Sequence, residues 1–448
     1  MNINKTKIIC TLGPASYDVN VLKKMILSGM NVARFNFSHA KYDKSKELLQ
    51  CIRNLNKELN SHVATLLDTK GPEIRTHEFD GVVTIVKDSL VRISTKELLG
   101  NSFRFSVTYP GFYDELKIGD IVNVDDGYLS LEIIDKDPKK KELVTKAKNT
   151  HMVKSCRGIN VPNVSLNMSF ISEKDRQDVI FASQENFDYI AASFVRKADD
   201  VLELRKILKE QKNDHILIIS KIENQEAVDN LDEIIEVSDG IMVARGDLGI
   251  EVPGEIVPFY QTTIIEKCLS KGKIVVVATQ MLESMQKNPR PTKAEISDVF
   301  NAVKESTTAT MLSGESASGE YPVEAVQFMY KINKQAEAIQ EMKFFTPLYK
   351  PENLQEQLLL SAIELSFRHP IKAIIVYNQK DAYSVSKFHP SVPVLSVVQD
   401  EKEANLLALS YGIIPVLSQN ELDKKLKYFN NKECEKIILV TEGKIEIK

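Results

Sequence analysis

What most constrains this chain is a repeated alternation. From Lys5 onward, short runs rich in β-branched residues alternate with amphipathic segments of helical period, the pattern of successive βα units. Candidate strands fall at residues 6–12, 31–35, 63–67, 189–192, 216–220, 240–244, 274–278 and 309–312. Ordinary signals end and begin the helices between them. Gly29 closes the helix of 21–28, Gly272 follows the helix that ends at Lys271, and Ser172-Glu-Lys-Asp175 caps a helix running to about Glu185. Eight parallel strands with intervening helices suggest an α/β fold of the (β/α)8 TIM-barrel type, whose active site lies at the carboxyl ends of the strands.

One interruption breaks the rhythm. Between Gly71 and about Arg157 the period changes to short alternating runs at 82–85, 90–93, 121–124 and 129–134, separated by Gly, Asp and Lys. These read as an inserted all-β domain. It leaves the barrel just after strand three, on the face where catalysis is expected, so it is placed to act as a lid. After the helix that follows Pro322, a further βα series from about Lys343 (373–377, 394–398, 437–440) reads as a separate open α/β domain. A chain of 448 residues exceeds what one core fills. The expected division is a barrel from 1–70 and 158–342, a lid from 71–157 and a C-terminal α/β domain from 343–448.

Composition removes several classes of function. The hydrophobic share of 43% and charged share of 27% are those of a soluble globular protein, and no stretch approaches the roughly 20 apolar residues of a membrane span. The N-terminus runs straight into a strand, without the tripartite form of a secretion signal, so the expected location is cytoplasmic. Cys10, Cys51, Cys156, Cys268 and Cys434 lie far apart with no Cys-x-x-Cys pair, which argues against a disulfide framework and a zinc site. A net charge of -4 with mixed signs gives no case for binding nucleic acid. Any phosphate recognition must therefore be local.

The strand ends supply it. Strand two yields Arg34, Asn36, Ser38 and His39, and strand three Asp68, Thr69, Lys70, Glu73 and Arg75. Strand five yields Lys221 and Glu223, strand six Arg245, Gly246 and Asp247, strand seven Thr279 and Gln280, and strand eight Ser313 and Glu315. Glu223 and Asp247 form a pair of hard oxygen ligands suited to Mg²⁺ or Mn²⁺; the bland alternative is that they are salt-bridge partners of nearby basic groups. Lys221, one residue past an apolar strand, is a partly enclosed cation able to act on transition-state charge, or a satisfied surface lysine. Asn36, Ser38, Asp68 and Thr69 make an oxygen-rich set whose plain reading is turn and helix capping.

The strings Lys7-Ile-Ile-Cys-Thr-Leu-Gly-Pro-Ala-Ser16, Asn31-Val-Ala-Arg-Phe-Asn-Phe-Ser-His39, Asp68-Thr-Lys-Gly-Pro-Glu-Ile-Arg75, Ile219-Ser-Lys-Ile-Glu-Asn224, Gly240-Ile-Met-Val-Ala-Arg-Gly-Asp-Leu-Gly249, Ala278-Thr-Gln-Met-Leu-Glu-Ser284 and Met311-Leu-Ser-Gly-Glu315 occur in one order. On them the chain resembles pyruvate kinase along nearly its whole length. The resemblance implies phosphoryl transfer from phosphoenolpyruvate to ADP, giving ATP and pyruvate. It implies that Lys221 stabilises the transferring phosphoryl group and the enolate, and that Arg34 grips the substrate phosphate. Gly246, Asp247 and Thr279 would hold the substrate carboxylate, and Glu223 and Asp247 the divalent metal. Ser313 and Glu315 count among the catalytic positions. Asn36, Ser38, Asp68 and Thr69 match a potassium site, and Asn36, His39, Arg75 and Arg157 match nucleotide contacts. A homotetramer is implied as well.

Some positions depart from the family pattern. Arg157 stands where lysine is usual, keeping charge but changing donor geometry and leaving nucleotide preference open. Ala40 replaces a glycine and Thr308 an aspartate. Glu73 occupies a position where potassium-independent members carry lysine, which implies dependence on a monovalent cation. The loop Asn378-Gln-Lys-Asp-Ala382 has no Gly, Ser or Thr with which to cradle a phosphate, so activation by fructose 1,6-bisphosphate is not expected. Two other readings stand beside this one: a metal-dependent lyase or aldolase of 2-keto acids, and a silent paralogue kept for regulation. Arg75 and Asn36 under an inserted lid separate the kinase from the first. Against the second, every matched catalytic position keeps its residue type except Arg157.

Overall fold

The computed structural model describes residues 4–341, 348–429 and 436–448. The expected boundary at 343 and Cys434 lie outside the described residues. Eight parallel strands close into a barrel: Lys7–Thr11, Val32–Asn36, Ala64–Asp68, Tyr189–Ala192, Leu217–Ile222, Gly240–Ala244, Ile274–Ala278 and Ala309–Leu312, with the first paired to the second and the eighth. Alternation along the strands divides the core. On strand one Ile8 and Cys10 pack outward among the helices, while Ile9 joins Val32, Leu66, Tyr189, Ile219, Met242, Val276 and Met311 inside the barrel. Strand five runs farther than its apolar run suggests, so Lys221 lies within the strand rather than beyond it. The Ser172 capping box forms as expected, with Asp175 at its far end, and Gly29 caps the first helix, Val19–Ser28.

The insertion is a seven-stranded sheet beside a two-stranded ribbon, with its own core around Phe79, Val91, Phe105, Phe112 and Leu131. Its entering strand Ile74–Arg75 and leaving strand Gly158–Asn160 pair antiparallel, so both connections to the barrel run side by side. The third sheet has five strands, in the order Ile413–Val416, Val394–Val397, Ile371–Val376, Lys436–Thr441, Lys444–Ile447, the last antiparallel to its neighbour. Sequence patterning finds three of these. Pro415 hides the strand Ile413–Val416, which is tolerable only because that strand lies at the sheet edge, and alternating Lys and Glu disguise Lys444–Ile447.

This third sheet also closes the base of the barrel. Ala408 and Leu409 enter the inner barrel core, the Tyr189 hydroxyl donates to the Leu406 carbonyl, Gly412 N–H donates to Lys5 O (3.0 Å) and Lys7 Nζ to Ile413 O (2.6 Å).

Candidate active site

At the opposite end the strands deliver charge. Strands one to three bring Thr11 beside Arg34 and Asn36 beside Asp68. Arg34 Nε donates to Asp68 Oδ2 (2.7 Å) and its Nη1 to Thr11 Oγ1 (2.7 Å). The other Asp68 oxygen, Oδ1, accepts from Ser193 Oγ (3.0 Å) and Lys221 Nζ (3.2 Å). Burial alone would raise the Asp68 carboxyl, but the charges of Arg34 and Lys221 and hydrogen bonds from Arg34 and Ser193 hold it below its ordinary value. Lys221 is enclosed. Its Nζ also donates to Ser193 Oγ (2.8 Å) and forms an ion pair with Glu223 Oε1 at 2.9 Å without an aligned hydrogen bond. Burial disfavours the ammonium, yet Asp68, Glu223 and Asp247 overcome it and push its pKa well up.

Glu223 is fully buried. Its Oε2 accepts from Phe194 N–H (2.6 Å), while Oε1, despite the close ammonium, has no donor aligned for a hydrogen bond. Desolvation and then Asp247 push the Glu223 carboxyl up, against the pull of Lys221. Asp247 sits in the first turn of the helix Arg245–Glu251. A buried carboxylate whose proton affinity is raised by burial and by the neighbouring Asp247, and which keeps one unbonded oxygen, suits with Asp247 a hard divalent cation that takes its remaining ligands from substrate and water. Among the described residues no group of three or more His, Cys, Asp or Glu forms a cage that would hold a metal by itself.

Strand seven ends in strain. Thr279 and Gln280 have φ of +65° and +52°, a region costly for a β-branched side chain. Gly246 N–H donates to Thr279 Oγ1 (2.7 Å), and a Cβ on Gly246 would lie 3.3 Å from that oxygen, so glycine allows the approach. The buried Arg245 braces the turn from behind: Nη2 donates to Thr279 O (2.8 Å) and Gln280 O (3.1 Å), and Nη1 to Asp298 Oδ1 (2.7 Å). Glu315 braces strand eight in the same way, its oxygens accepting from Leu282 N–H (3.0 Å) and Ser313 N–H (2.8 Å), and burial raises its pKa. Asp247, Thr279, Ser313 and Glu315 line one cleft of about 1210 Å³ with Asp126 and Tyr128 of the lid above.

The potassium-type set is adjacent but spoken for. Asn36 Oδ1 accepts from Ser38 N–H (3.1 Å), a turn contact, while Thr69 Oγ1 accepts from Ser193 N–H (3.1 Å). Glu73 grips Arg75 with both oxygens (2.8 and 2.7 Å), and Arg75 Nη1 reaches Cys156 O (2.7 Å). Arg157, on the lid, lies 3.5 Å from Asp125, and His39 is exposed. Asn160, on the strand leaving the insertion, donates to Glu251 Oε1 (2.6 Å), and Asn123 of the lid reaches Ile250 O (3.5 Å). Burial, then Asp125 and Asp247, raise the Asp126 carboxyl. Strand-end reasoning missed Thr11, Ser193, Phe194 and Asp126. The rule itself covers Ser193 and Phe194, which directly follow strand four, whereas Thr11 lies inside the candidate strand of 6–12.

A closed parallel barrel with an ammonium, a guanidinium and two carboxylates gathered at its carboxyl mouth, under an inserted lid, defines a barrel enzyme for transfer of an anionic group. The comparisons narrow that class. The family model for the barrel domain of pyruvate kinase matches residues 3–326, and the one for its alpha/beta domain matches residues 356–447. Pyruvate kinases of Staphylococcus haemolyticus and Bacillus licheniformis are each 44% identical, and that of Staphylococcus epidermidis 45%, each over 93% of this chain and 72% of the relative. This chain belongs to the pyruvate kinase family, phosphotransferases that make ATP and pyruvate from phosphoenolpyruvate and ADP. The family is generally metal-dependent.

Proposed function

We propose that the mouth described above is the phosphoryl-transfer site, with the following division of work. Lys221 faces the phosphoryl group in flight and neutralises charge that grows on it and on the enolate oxygen; Arg34 holds the phosphate. Glu223 and Asp247 hold Mg²⁺ or Mn²⁺, which when bound polarises the substrate oxygens. Gly246, Asp247 and Thr279 seat the substrate carboxylate, the Gly246 N–H exchanging the Thr279 hydroxyl for it. Ser313 and Glu315 shape the far wall. Asn36, Ser38, Asp68 and Thr69 hold K⁺, and Asn36, His39, Arg75 and Arg157 meet the nucleotide when the lid closes. The observation that carries the reading is the buried Lys221 ammonium, bonded to Asp68 and Ser193 and paired with Glu223, beside the Arg34 guanidinium. Phosphoryl transfer asks for this kind of positioned charge more than for covalent chemistry.

The reading extends to three domains divided at residues 71, 158 and 343, where the sequence periodicity changes, to a cytoplasmic location and, by resemblance alone, to a homotetramer. Insensitivity to fructose 1,6-bisphosphate has local support. The N-terminus of the helix Gln379–Lys387 is capped by Asn378, whose Oδ1 accepts from Asp381 N–H (2.7 Å) and whose amide donates to Asp381 Oδ2 (2.9 Å). Ser384 points elsewhere, to Glu356. A coupled assay for ATP formation from phosphoenolpyruvate and ADP, with Mg²⁺ and K⁺ supplied, tests the reading, and no turnover under those conditions refutes it.

A further inference from the structure

The turn after strand four has no part in the assignments above, yet it touches both charges at the centre of the site. Ser193 is buried and its Oγ has three polar neighbours: Lys221 Nζ at 2.8 Å, Thr69 O at 2.7 Å and Asp68 Oδ1 at 3.0 Å. Hydrogen counting fixes the polarity of this junction. An ammonium only donates, so Ser193 Oγ accepts from Lys221, and its single hydroxyl hydrogen must point to Thr69 O or Asp68 Oδ1. The chain of donors runs one way, from Lys221 through Ser193 to strand three. Donation of the hydroxyl hydrogen to either of these oxygens makes Ser193 Oγ a better acceptor for the ammonium.

The next residue is held against its backbone preference. Phe194 has φ of +56°, which a bulky side chain rarely adopts, and in that conformation its N–H donates to Glu223 Oε2 at 2.6 Å. The turn is packed in place by Gly71, where a Cβ would lie 2.9 Å from the Phe194 ring and 3.0 Å from Ser193 Cβ. One strained dipeptide therefore fixes the lysine with a side chain and the glutamate with a backbone N–H.

We propose that Ser193 is a positioning residue for phosphoryl transfer, aiming the Lys221 ammonium and tying it to Asp68 and Thr69 of the potassium-type set. The claim rests on Lys221 acting as proposed above. It explains why the enclosed ammonium is not simply drawn onto the two carboxylates around it: a neutral acceptor with a fixed hydrogen direction holds it from a third side.

The test is Ser193→Ala in the full-length protein. Expected are a fall in kcat of tenfold or more with the half-saturating phosphoenolpyruvate concentration within threefold of the parent, and a severalfold rise in half-saturating K⁺. Binding of Mn²⁺, read as free ion by electron paramagnetic resonance, stays within twofold, because the Phe194 N–H still holds Glu223. The same substitution in a Lys221→Arg background, whose guanidinium cannot take the bond in the same geometry, costs threefold or less. Any destabilisation by the alanine is common to both backgrounds, so it cannot produce the difference. A single variant keeping more than a third of parental kcat overturns the proposal, as does an equal fold loss in both backgrounds. If the parent itself makes no ATP, the kinase reading has failed instead; if it needs no monovalent cation, the potassium link fails while the kcat comparison still decides the role of Ser193.

Discussion

The two ends of the barrel are built on opposite chemistry. The mouth gathers Arg34, Asp68, Lys221 and Glu223 into a buried net of charge and tolerates strained backbone at Phe194, Thr279 and Gln280. It opens into a cleft of about 1210 Å³. The base has Ala408 and Leu409, from the turn before the edge strand of the third sheet, seated among Ile9, Leu66, Tyr189 and Met311, and cavities of about 220 and 450 Å³ adjoin it. On the proposed function this division has a physical reason: charge aimed at a transition state costs stability that packing elsewhere must offset. The departure at Thr308 fits the division: it lies at the base, where its hydroxyl donates to Val275 O (2.7 Å) and accepts from Val275 N–H (2.9 Å).

The largest effect expected is at the mouth. Lys221→Met should lower kcat by a hundredfold or more, on the order of 3 kcal/mol for a well-placed group, with little change in thermal midpoint. A variant that keeps a tenth of the parental turnover breaks the comparison. The mirror experiment is Leu409→Ala, which empties a site inside the barrel and should cost about 2 to 5 kcal/mol in denaturant unfolding while leaving kcat per folded molecule unchanged. Equal stability would mean that the base is not the fastening it looks like.

Acid should loosen the base through His389. Burial, and then the charge of Lys5, depress its pKa to about 3, and its ring stacks on Tyr411 at 4.1 Å. The unfolded chain titrates near the ordinary value of about 6.5, so it binds a proton that the folded chain refuses. The contribution of His389 is therefore fully present above about pH 6.5 and is lost as pH falls toward 3. Between pH 7 and 4.5 the parent should lose roughly 2 to 3 kcal/mol more stability than His389→Phe, measured by urea midpoints at both pH values. Parallel losses would remove His389 from the account.

Replacing K⁺ by a large organic cation should slow turnover by about tenfold, the loss of one charge near the transferring group. Glu73→Lys should lessen that requirement. Because Glu73 grips Arg75 with both oxygens, the variant should also raise half-saturating ADP. Identical rates with and without K⁺ would refute the cation site. The smallest effect concerns the third sheet, where fructose 1,6-bisphosphate should change half-saturating phosphoenolpyruvate by less than twofold. A tenfold drop, about 1.4 kcal/mol of coupling, would show that the capped helix at Asn378 opens for phosphate.

The barrel was legible because each strand carries its own local signal, and the residue just after it reads directly as a candidate for the mouth. That rule led to Arg34, Asp68, Lys221, Glu223 and Asp247, which the fold draws together. It did not say what each would touch. Arg245 and Glu315 look like mouth charges in the sequence, but Arg245 spends its bonds on Asp298 and the carbonyls just after strand seven, Glu315 spends its own on N–H groups after strands seven and eight, and Glu73 is occupied by Arg75. Ser193 directly follows strand four and falls under the same rule, but its role is not local: its partners are 124 and 28 residues away in the chain, at Thr69 and Lys221.

The sequence by itself determined which elements exist and which residues end them, because hydrophobic period and capping are local properties that each segment carries alone. It also determined the family, through long strings of residues in order. Only the tertiary structure decided that Leu409 seals the base, that Phe194 is strained against Glu223, and that a serine rather than a third carboxylate completes the shell of Lys221. Those outcomes depend on how closed strands bring distant residues within 3 Å of each other, and burial then sets whether a charge is held, raised or lowered. Neither distance nor burial is written in any single segment of the chain.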